Sequence, residues 1–173
     1  MATTIDGSAS VTINSGAVLG ITSGTAVAST SGTSIDFTGL PNWIKRITVM
    51  FSGVSLSGTA GLLVQIGAGS VTTSGYVSSS AYCGTATVGF TSTAGFLITS
   101  GGSSADLFRG IVTIATLGSN VWVSQGNLSR GDTYVWVNAG SLALSGTLDR
   151  IRITTTNGTD AFDAGTINIM YEG

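Results

Sequence analysis

The feature that most constrains the fold of this chain is its series of short, alternating apolar segments separated by turns rich in Gly, Ser and Thr. Residues 148–155 show the pattern: Ile151 and Ile153 fall on one face of an extended strand, and Arg150 and Arg152 on the other. No window carries the apolar stripe of a helix of useful length. The sequence therefore predicts an all-β protein.

The strand-like segments number about eight to ten and recur at intervals of roughly 8 to 15 residues. They lie at 43–54, 62–66, 75–82, 95–99, 105–117, 121–124, 133–137, 141–144, 148–155 and 165–172. Gly110 interrupts one of them and is expected to mark a bulge, and Asn157-Gly158 predicts a tight turn. This spacing is typical of an antiparallel sandwich or barrel, and we expect a jelly-roll-like β-sandwich.

The chain carries very little charge. Only 8% of its residues are Asp, Glu, Lys or Arg, against about a quarter in an ordinary globular protein. It has no His, the commonest general base and metal ligand, and Glu172 is its only Glu. Asp36 and Asp106 are too isolated to suggest a carboxylate pair for glycoside cleavage. We expect no enzyme, no catalytic residue, no metal and no cofactor.

The distribution of charge also bears on the partners. The six basic residues are scattered, so the chain has no basic stripe for nucleic acid and no cationic patch for a membrane surface. No segment approaches the roughly 18 apolar residues of a membrane span, and the N-terminus lacks a signal-peptide pattern. A strand-rich monomer with so little charge would aggregate, so we expect other subunits to cover much of its surface.

The N-terminal segment differs from the rest, because its alternating apolar residues are short and include no aromatic ring. We therefore divide the chain into an assembly arm at residues 1–21 and a β-sandwich domain at residues 22–173. The arm has too little apolar area to fold alone and is expected to order against a neighbouring chain. The candidate interface residues are Ile5, Val11, Ile13, Val18, Leu19, Arg150 and Arg152.

Several side chains have two possible interpretations. Trp122, Tyr134 and Trp136 are candidates for a surface that stacks on sugars, although aromatic rings in strands more often pack in a core or an interface. Arg150 and Arg152 can pair with acidic groups of their own chain or with those of another subunit. Cys83 is the only Cys, and without a His to activate it we expect a buried, unreactive thiol.

A loop near the C-terminus contains Asp160 and Asp163 beside Asn157-Gly158. Hard cations such as calcium bind oxygen-rich loops of this kind. The spacing of these oxygens matches no known calcium loop, so we do not predict a cation site.

One stretch supports a resemblance to a known family. Residues 35–47, Ile35-Asp-Phe-Thr-Gly-Leu-Pro-Asn-Trp-Ile-Lys-Arg-Ile47, resemble a β-module of tail-fibre and other virion-surface proteins of tailed bacteriophages. The likeness extends over residues 22–173. It implies a non-enzymatic virion component, usually a homotrimer, made in the host cytoplasm and located in the virion.

The short arm distinguishes this chain from tail fibres with a long stalk. About 20 extended residues reach only roughly 70 Å, and the sequence has no heptad pattern for a coiled-coil stalk. We therefore expect a capsid decoration (cement) protein that binds the major capsid protein. The alternative is a short tail fibre or receptor-binding tip that contacts a tail component and a host-surface glycan.

Overall fold

The structure, a computed structural model, describes residues 12–13, 16–17, 20–131 and 134–173. Within these residues all regular structure is β-strand, and every strand pair is antiparallel. A nine-stranded sheet and a five-stranded sheet enclose the core in a sandwich-like arrangement. The predicted all-β antiparallel sandwich is confirmed, whereas the jelly-roll-like description stays a prediction.

The strands are, in chain order, β1 (Thr12–Ile13), β2 (Gly16–Ala17), β3 (Thr22–Ser23), β4 (Val27–Ala28), β5 (Ser34–Thr38), β6 (Arg46–Leu56), β7 (Leu62–Ala68), β8 (Ser70–Val71), β9 (Val77–Cys83), β10 (Thr87–Ser92), β11 (Phe96–Leu97), β12 (Phe108–Gly118), β13 (Val121–Arg130), β14 (Tyr134–Ala143), β15 (Arg150–Thr155) and β16 (Phe162–Glu172). The large sheet has the order β10-β9-β14-β13-β12-β6-β16-β3, with β4 also paired to β16. The small sheet has the order β11-β7-β15-β5, with β8 paired to β7. Strands β1 and β2 form a separate two-stranded sheet.

A meander of long strands forms the middle of the large sheet. β12 pairs with β13, and β13 with β14, each over nearly its full length. The sequence predicts separate short strands at 121–124, 133–137 and 141–144, but β14 runs unbroken from Tyr134 to Ala143. The prediction fails here because the Gly and Ser residues between the apolar positions remain in the hydrogen-bonded ladder.

The core lies between the two sheets and forms one hydrophobic cluster. On β6, Ile47, Val49 and Phe51 point inward. They face small-sheet side chains that include Ile151 and Ile153 of β15, both fully buried. Arg150 and Arg152 alternate with these two residues and remain partly exposed, so the predicted alternation is confirmed for residues 150–155. It does not extend to Leu148, which precedes β15 and is buried.

Two breaks in the strand ladder depend on glycine. At Gly110 the backbone adopts φ +147°, and the register between β12 and β6 shifts between Phe108 and Gly110, which confirms the predicted bulge. Gly165 adopts φ +94° on β16, where a Cβ would meet the carbonyl of Gly53. Both breaks therefore lie beside β6, one in its pairing with β12 and the other in its pairing with β16.

The Asn157-Gly158 turn is also present. The Asn157 Oδ1 accepts hydrogen bonds from the backbone N–H groups of Thr159 and Asp160, both at 3.0 Å, and Gly158 has φ +69°. The turn does not close a hairpin, because it leads from β15 in the small sheet to β16 in the large sheet. It is therefore a crossing point between the two layers.

The structure contradicts the prediction for Cys83 and leaves the predicted N-terminal arm untested. Cys83 is exposed, so the prediction of a buried thiol is wrong. Its neighbour Tyr82 takes the inward position on β9, and alternation turns Cys83 outward. The arm at residues 1–21 stays a prediction: Ile5, Val11, Val18 and Leu19 lie outside the described residues, and Ile13 is described only as a member of β1.

Candidate functional site

The outer face of the large sheet is the most distinctive surface of the described part of the molecule. Strand β14 shows how it arises: Trp136, Asn138 and Leu142 point into the core, while Val137 and Ala139 point outward. The neighbouring strands alternate in the same register. The outward residues of the central strands therefore form continuous rows across the sheet.

Three rows make up what we call the neutral face. The first contains Ala81, Val137, Asn127, Ile111 and Met50; the second contains Ser79, Ala139, Gln125, Thr113 and Thr48; the third contains Val77, Ser141, Val123 and Ala115. Each row crosses β9, β14, β13 and β12 and reaches β6, where the first two rows have Met50 and Thr48 and the third ends at Arg46, which we assign to the border. Every side chain of the neutral face is apolar or uncharged.

Large apolar side chains on this face are open to solvent. Val77 is 73% exposed, Ile111 52% and Val137 42%. Val135, 44% exposed, lies in the adjacent row, which ends at Arg109, and Leu117, 73% exposed, lies in the register break near the end of β12. Along the rows these side chains are separated by Asn127, Gln125 and small residues, so the surface is uncharged and of mixed polarity.

The surface relief is shallow. One depression, of about 430 Å³, lies over Ala81, Val137 and Ala139. Two others, each of about 380 Å³, lie over Thr113 and Gln125, one beside Ile111 and the other beside Ala115. Because they spread along the rows and do not deepen into a cleft, they suit a broad protein contact better than a small ligand.

Charged side chains lie at the border of the neutral face. Arg46 and Glu172 form a salt bridge with each other at one corner, beside Ala115 in the β6 register. Arg109 lies at another edge, where its Nη1 donates to the carbonyl of Leu107 at 3.3 Å. The centre of the neutral face therefore has no fixed charge to repel an approaching neutral surface.

The opposite outer face, on the small sheet, is chemically different. Arg152 pairs with Asp36 and Arg150 with Asp149, in both cases with Nε to Oδ1 at 2.7 Å. The Arg150 guanidinium lowers the pKa of the Asp149 carboxyl by hydrogen bonding. Arg150 and Arg152, two of the predicted interface residues, therefore have acidic partners within the same chain. Their contact with another subunit stays a prediction.

The three rings proposed for sugar stacking do not share an exposed surface, and this corrects the hypothesis. Trp122 and Trp136 are only 4% and 2% exposed, because both take inward positions of their strands. Tyr134 is half-buried, with the Arg130 guanidinium 4.5 Å above its ring and Tyr82 edge-on at 5.7 Å. The two tryptophan rings pack in the core, whereas Tyr134 is partly exposed beside Tyr82 and Arg130.

A polar group of side chains lies on the inner side of the same strands. Asn138 is buried, and neither its Oδ1 nor its Nδ2 has a hydrogen-bond partner within the described residues. The same is true of the Ser124 hydroxyl and of the indole N–H groups of Trp122 and Trp136. Such groups cost stability unless water reaches them.

No group of three or more His, Cys, Asp or Glu side chains in the described residues is placed to hold a metal ion. In the oxygen-rich loop, hydrogen bonding by the Asn157 side chain, and next by the Ala60 N–H, lowers the pKa of the Asp160 carboxyl. The Ala60 N–H donates to Asp160 Oδ2 at 2.9 Å. Asp160 thus fastens the loop to the segment before β7. In the same residues we find no helix with the length and apolarity to cross a bilayer.

Comparison with known proteins found no matching family, no matching curated protein and no matching solved structure. The function must therefore be argued from the geometry and the sequence. The neutral face is a site that sequence reasoning missed. Its signal is present in residues 121–143, where both faces of the strands are uncharged.

Proposed function

We propose that this protein is a non-enzymatic structural protein of a tailed-phage virion, and specifically a homotrimeric capsid decoration (cement) protein. The observation that carries the proposal is the neutral face, a wide uncharged surface with exposed Val and Ile side chains on a folded sandwich. The resemblance of residues 35–47 to virion-surface modules supplies the setting. The partner is the major capsid protein.

The mechanism is burial of surface and involves no chemistry. Removing apolar area from water stabilises a contact by roughly 25 cal/mol per Å², and stable protein contacts bury about 1,200–2,000 Å² in total. A trimer seated across the junction of capsid subunits adds contacts that the shell lacks. Those contacts resist the outward force of the packaged genome.

The distribution of charge suits this role. The Arg152–Asp36 and Arg150–Asp149 pairs are closed within the chain, so they leave little free charge for long-range attraction. Association through the neutral face should accordingly depend weakly on salt. Sulfate, which strengthens apolar burial, should favour it.

A second candidate function rests on a different observation. Tyr82, Phe90 and Tyr134 are partly exposed near Arg130, with ring centroids of Tyr82 and Phe90 6.4 Å apart. Aromatic faces beside a cation can bind a sugar. This cluster supports the alternative of a short tail fibre or receptor-binding tip that recognises a host-surface glycan.

Localisation on intact particles tests both proposals. Cryo-electron microscopy of the virions that contain this chain should show trimers of the sandwich on the outside of the head. Particles depleted of the protein should lose their cargo at lower temperature and regain stability when purified protein is added back. Density at the tail tip would favour the receptor-binding alternative, and absence of the chain from purified virions would contradict both.

A further inference from the structure

We propose that the neutral face is the surface on which a second copy of this chain docks, so that the large sheets of neighbouring subunits pack against each other. This inference goes beyond the proposed function: two identical sheets packed face to face form a two-fold pair of copies, and this pair depends neither on the homotrimer nor on the capsid. It assigns the subunit contact to one face of the sandwich, which the sequence did not predict.

The absence of charge from the three rows favours an uncharged partner surface. An acidic or basic partner would find no countercharge in the three rows of the neutral face, since all their side chains are uncharged. A second neutral face is a matching partner, because neutral apolar surfaces dock without a charge left unpaired. Of the charges at the border, Arg46 and Glu172 neutralise each other, whereas Arg109, two residues before Ile111 on β12, lies at the rim of the contact.

The area of the outer face can be compared with the area that a stable interface needs. Five neighbouring strands spaced about 4.8 Å apart, with about nine residues each at about 3.3 Å per residue, cover about 700 Å². A standard interface uses about 800 Å² of each partner. The three rows of the neutral face span five residues of each strand and account for about 400 Å² of this area. The border, which holds Arg46 and Arg109, supplies the rest of the surface for a contact between two copies.

The shape of the neutral face suits close packing against a second sheet. The neutral face is built mainly from Ala, Ser, Thr and Val, whose short side chains allow two sheets to approach to about 10 Å, the usual spacing of packed sheets. The depressions over Ala139 and Thr113 leave room for side chains of the second sheet. The outer face of the small sheet lacks this property, because Arg150 and Arg152 project from it.

A charge placed in the neutral face tests the proposal. Val137 points outward and is 42% exposed, so Val137→Asp should leave the fold intact and yet bury a carboxylate in the subunit contact. The matched control is Thr38→Asp, at an exposed outward position of β5 on the opposite face. We expect association measured by analytical ultracentrifugation to weaken at least about tenfold for Val137→Asp and to be unchanged for Thr38→Asp.

Circular dichroism and thermal unfolding check that both variants fold. A second measurement avoids the added charge. Ala139→Cys is made in a Cys83→Ser background, and the rate at which a maleimide labels the new cysteine is measured in the native protein. We expect labelling at least about tenfold slower than for Thr38→Cys in the same background. This comparison decides the question if Val137→Asp fails to fold.

The outcomes separate this inference from the proposed function. The proposal that the neutral face docks a second copy is overturned if Val137→Asp associates as strongly as the wild-type protein. Equal labelling rates at positions 139 and 38 also overturn it. A wild-type protein that remains monomeric at high concentration also overturns it. Binding of that monomer to depleted particles would preserve the decoration role and assign the neutral face to the capsid protein.

Discussion

Arg152 on β15 stands directly opposite Asp36 on β5 and donates two hydrogen bonds to it, from Nε to Oδ1 at 2.7 Å and from Nη2 to Oδ2 at 2.8 Å. The pair joins the edge strand of the small sheet to its neighbour. The hydrogen bonds to Asp36 raise the pKa of Arg152. Its geometry is bidentate, but each side chain is 36% exposed, so solvent screens the attraction.

Arg152→Ala should therefore lower the free energy of unfolding only modestly, by about 0.5–1 kcal/mol. Urea unfolding of Arg152→Ala, Asp36→Ala and the double variant gives the coupling between the two side chains. Lys45→Ala, at an exposed position, is the control for loss of a single surface charge. A coupling well above 2 kcal/mol would contradict the view that this pair is a screened surface bridge.

The Tyr76 hydroxyl makes a stronger structural contact, since it is buried and connects two segments. It accepts a hydrogen bond from the Ile66 N–H at 2.8 Å and donates to the Thr72 carbonyl at 3.1 Å. Tyr76→Phe should lower the free energy of unfolding by about 1–3 kcal/mol, because the Ile66 N–H is left buried and without that acceptor. Tyr171→Phe, at a partly exposed ring, is the control and should change stability little.

Burial also raises the pKa of Tyr76 above its ordinary value of 10.0. Above pH 10 the unfolded chain releases the Tyr76 proton while the folded chain keeps it, so the free energy of unfolding falls as pH rises. Wild-type protein should lose stability between pH 10 and 11 more steeply than Tyr76→Phe. Parallel slopes in urea unfolding at these pH values would show that Tyr76 does not titrate differently in the two states.

Replacing Asn138 should change the free energy of unfolding in the opposite direction. Its amide is buried with no partner in the described residues, so Asn138→Leu removes a desolvated polar group and keeps a similar volume. We expect the free energy of unfolding to stay the same or to rise by up to about 1–2 kcal/mol. Differential scanning calorimetry of this variant beside Ser80→Ala, which loses a 2.9 Å bond to the Ile98 carbonyl, measures the contrast. A large loss in Asn138→Leu would indicate well-bound water at the amide.

Replacing Gly110 should destabilise the protein through its backbone conformation. A Cβ at Gly110 would contact the Asn127 carbonyl, and the φ of +147° disfavours any other residue. Gly110→Ala should lower the free energy of unfolding by more than about 2 kcal/mol. Gly89→Ala is the matched control, because no atom lies within 4 Å of its Cβ position, and it should be neutral or slightly stabilising. Equal stability of the two variants would rule out the bulge as the reason for glycine.

The sequence predicted the strands in which large β-branched residues alternate with polar ones. β6, β12, β15 and β16 lie close to their expected positions, because residues such as Ile151 and Ile153 select the inward face without ambiguity. β10 was not predicted, since Val88 and Phe90 alone do not distinguish a strand from a loop among Gly and Thr. Its pairing with β9 supplies the stability that its sequence lacks.

The candidate surface could not be predicted for a related reason. In β14 both the inward Trp136 and the outward Val137 are hydrophobic, so hydropathy does not tell which side faces the core. Only the register across β9, β13 and β12 determines that Val137 joins Ile111 in an exposed row. The pairing of Arg152 with Asp36 likewise depends on contact between strands far apart in the chain, and the sequence alone left its partner open.

The small residues of the neutral face have a consequence for the speed and reversibility of assembly. Ala, Ser, Thr and Val lose little rotamer freedom when they are covered, whereas Lys or Glu would each cost on the order of 1.5–2 kcal/mol. Two such sheets can meet in the shape they already have, without waiting for side chains to reorganise. Contact through the neutral face therefore needs no slow rearrangement of side chains and should both form and dissociate rapidly.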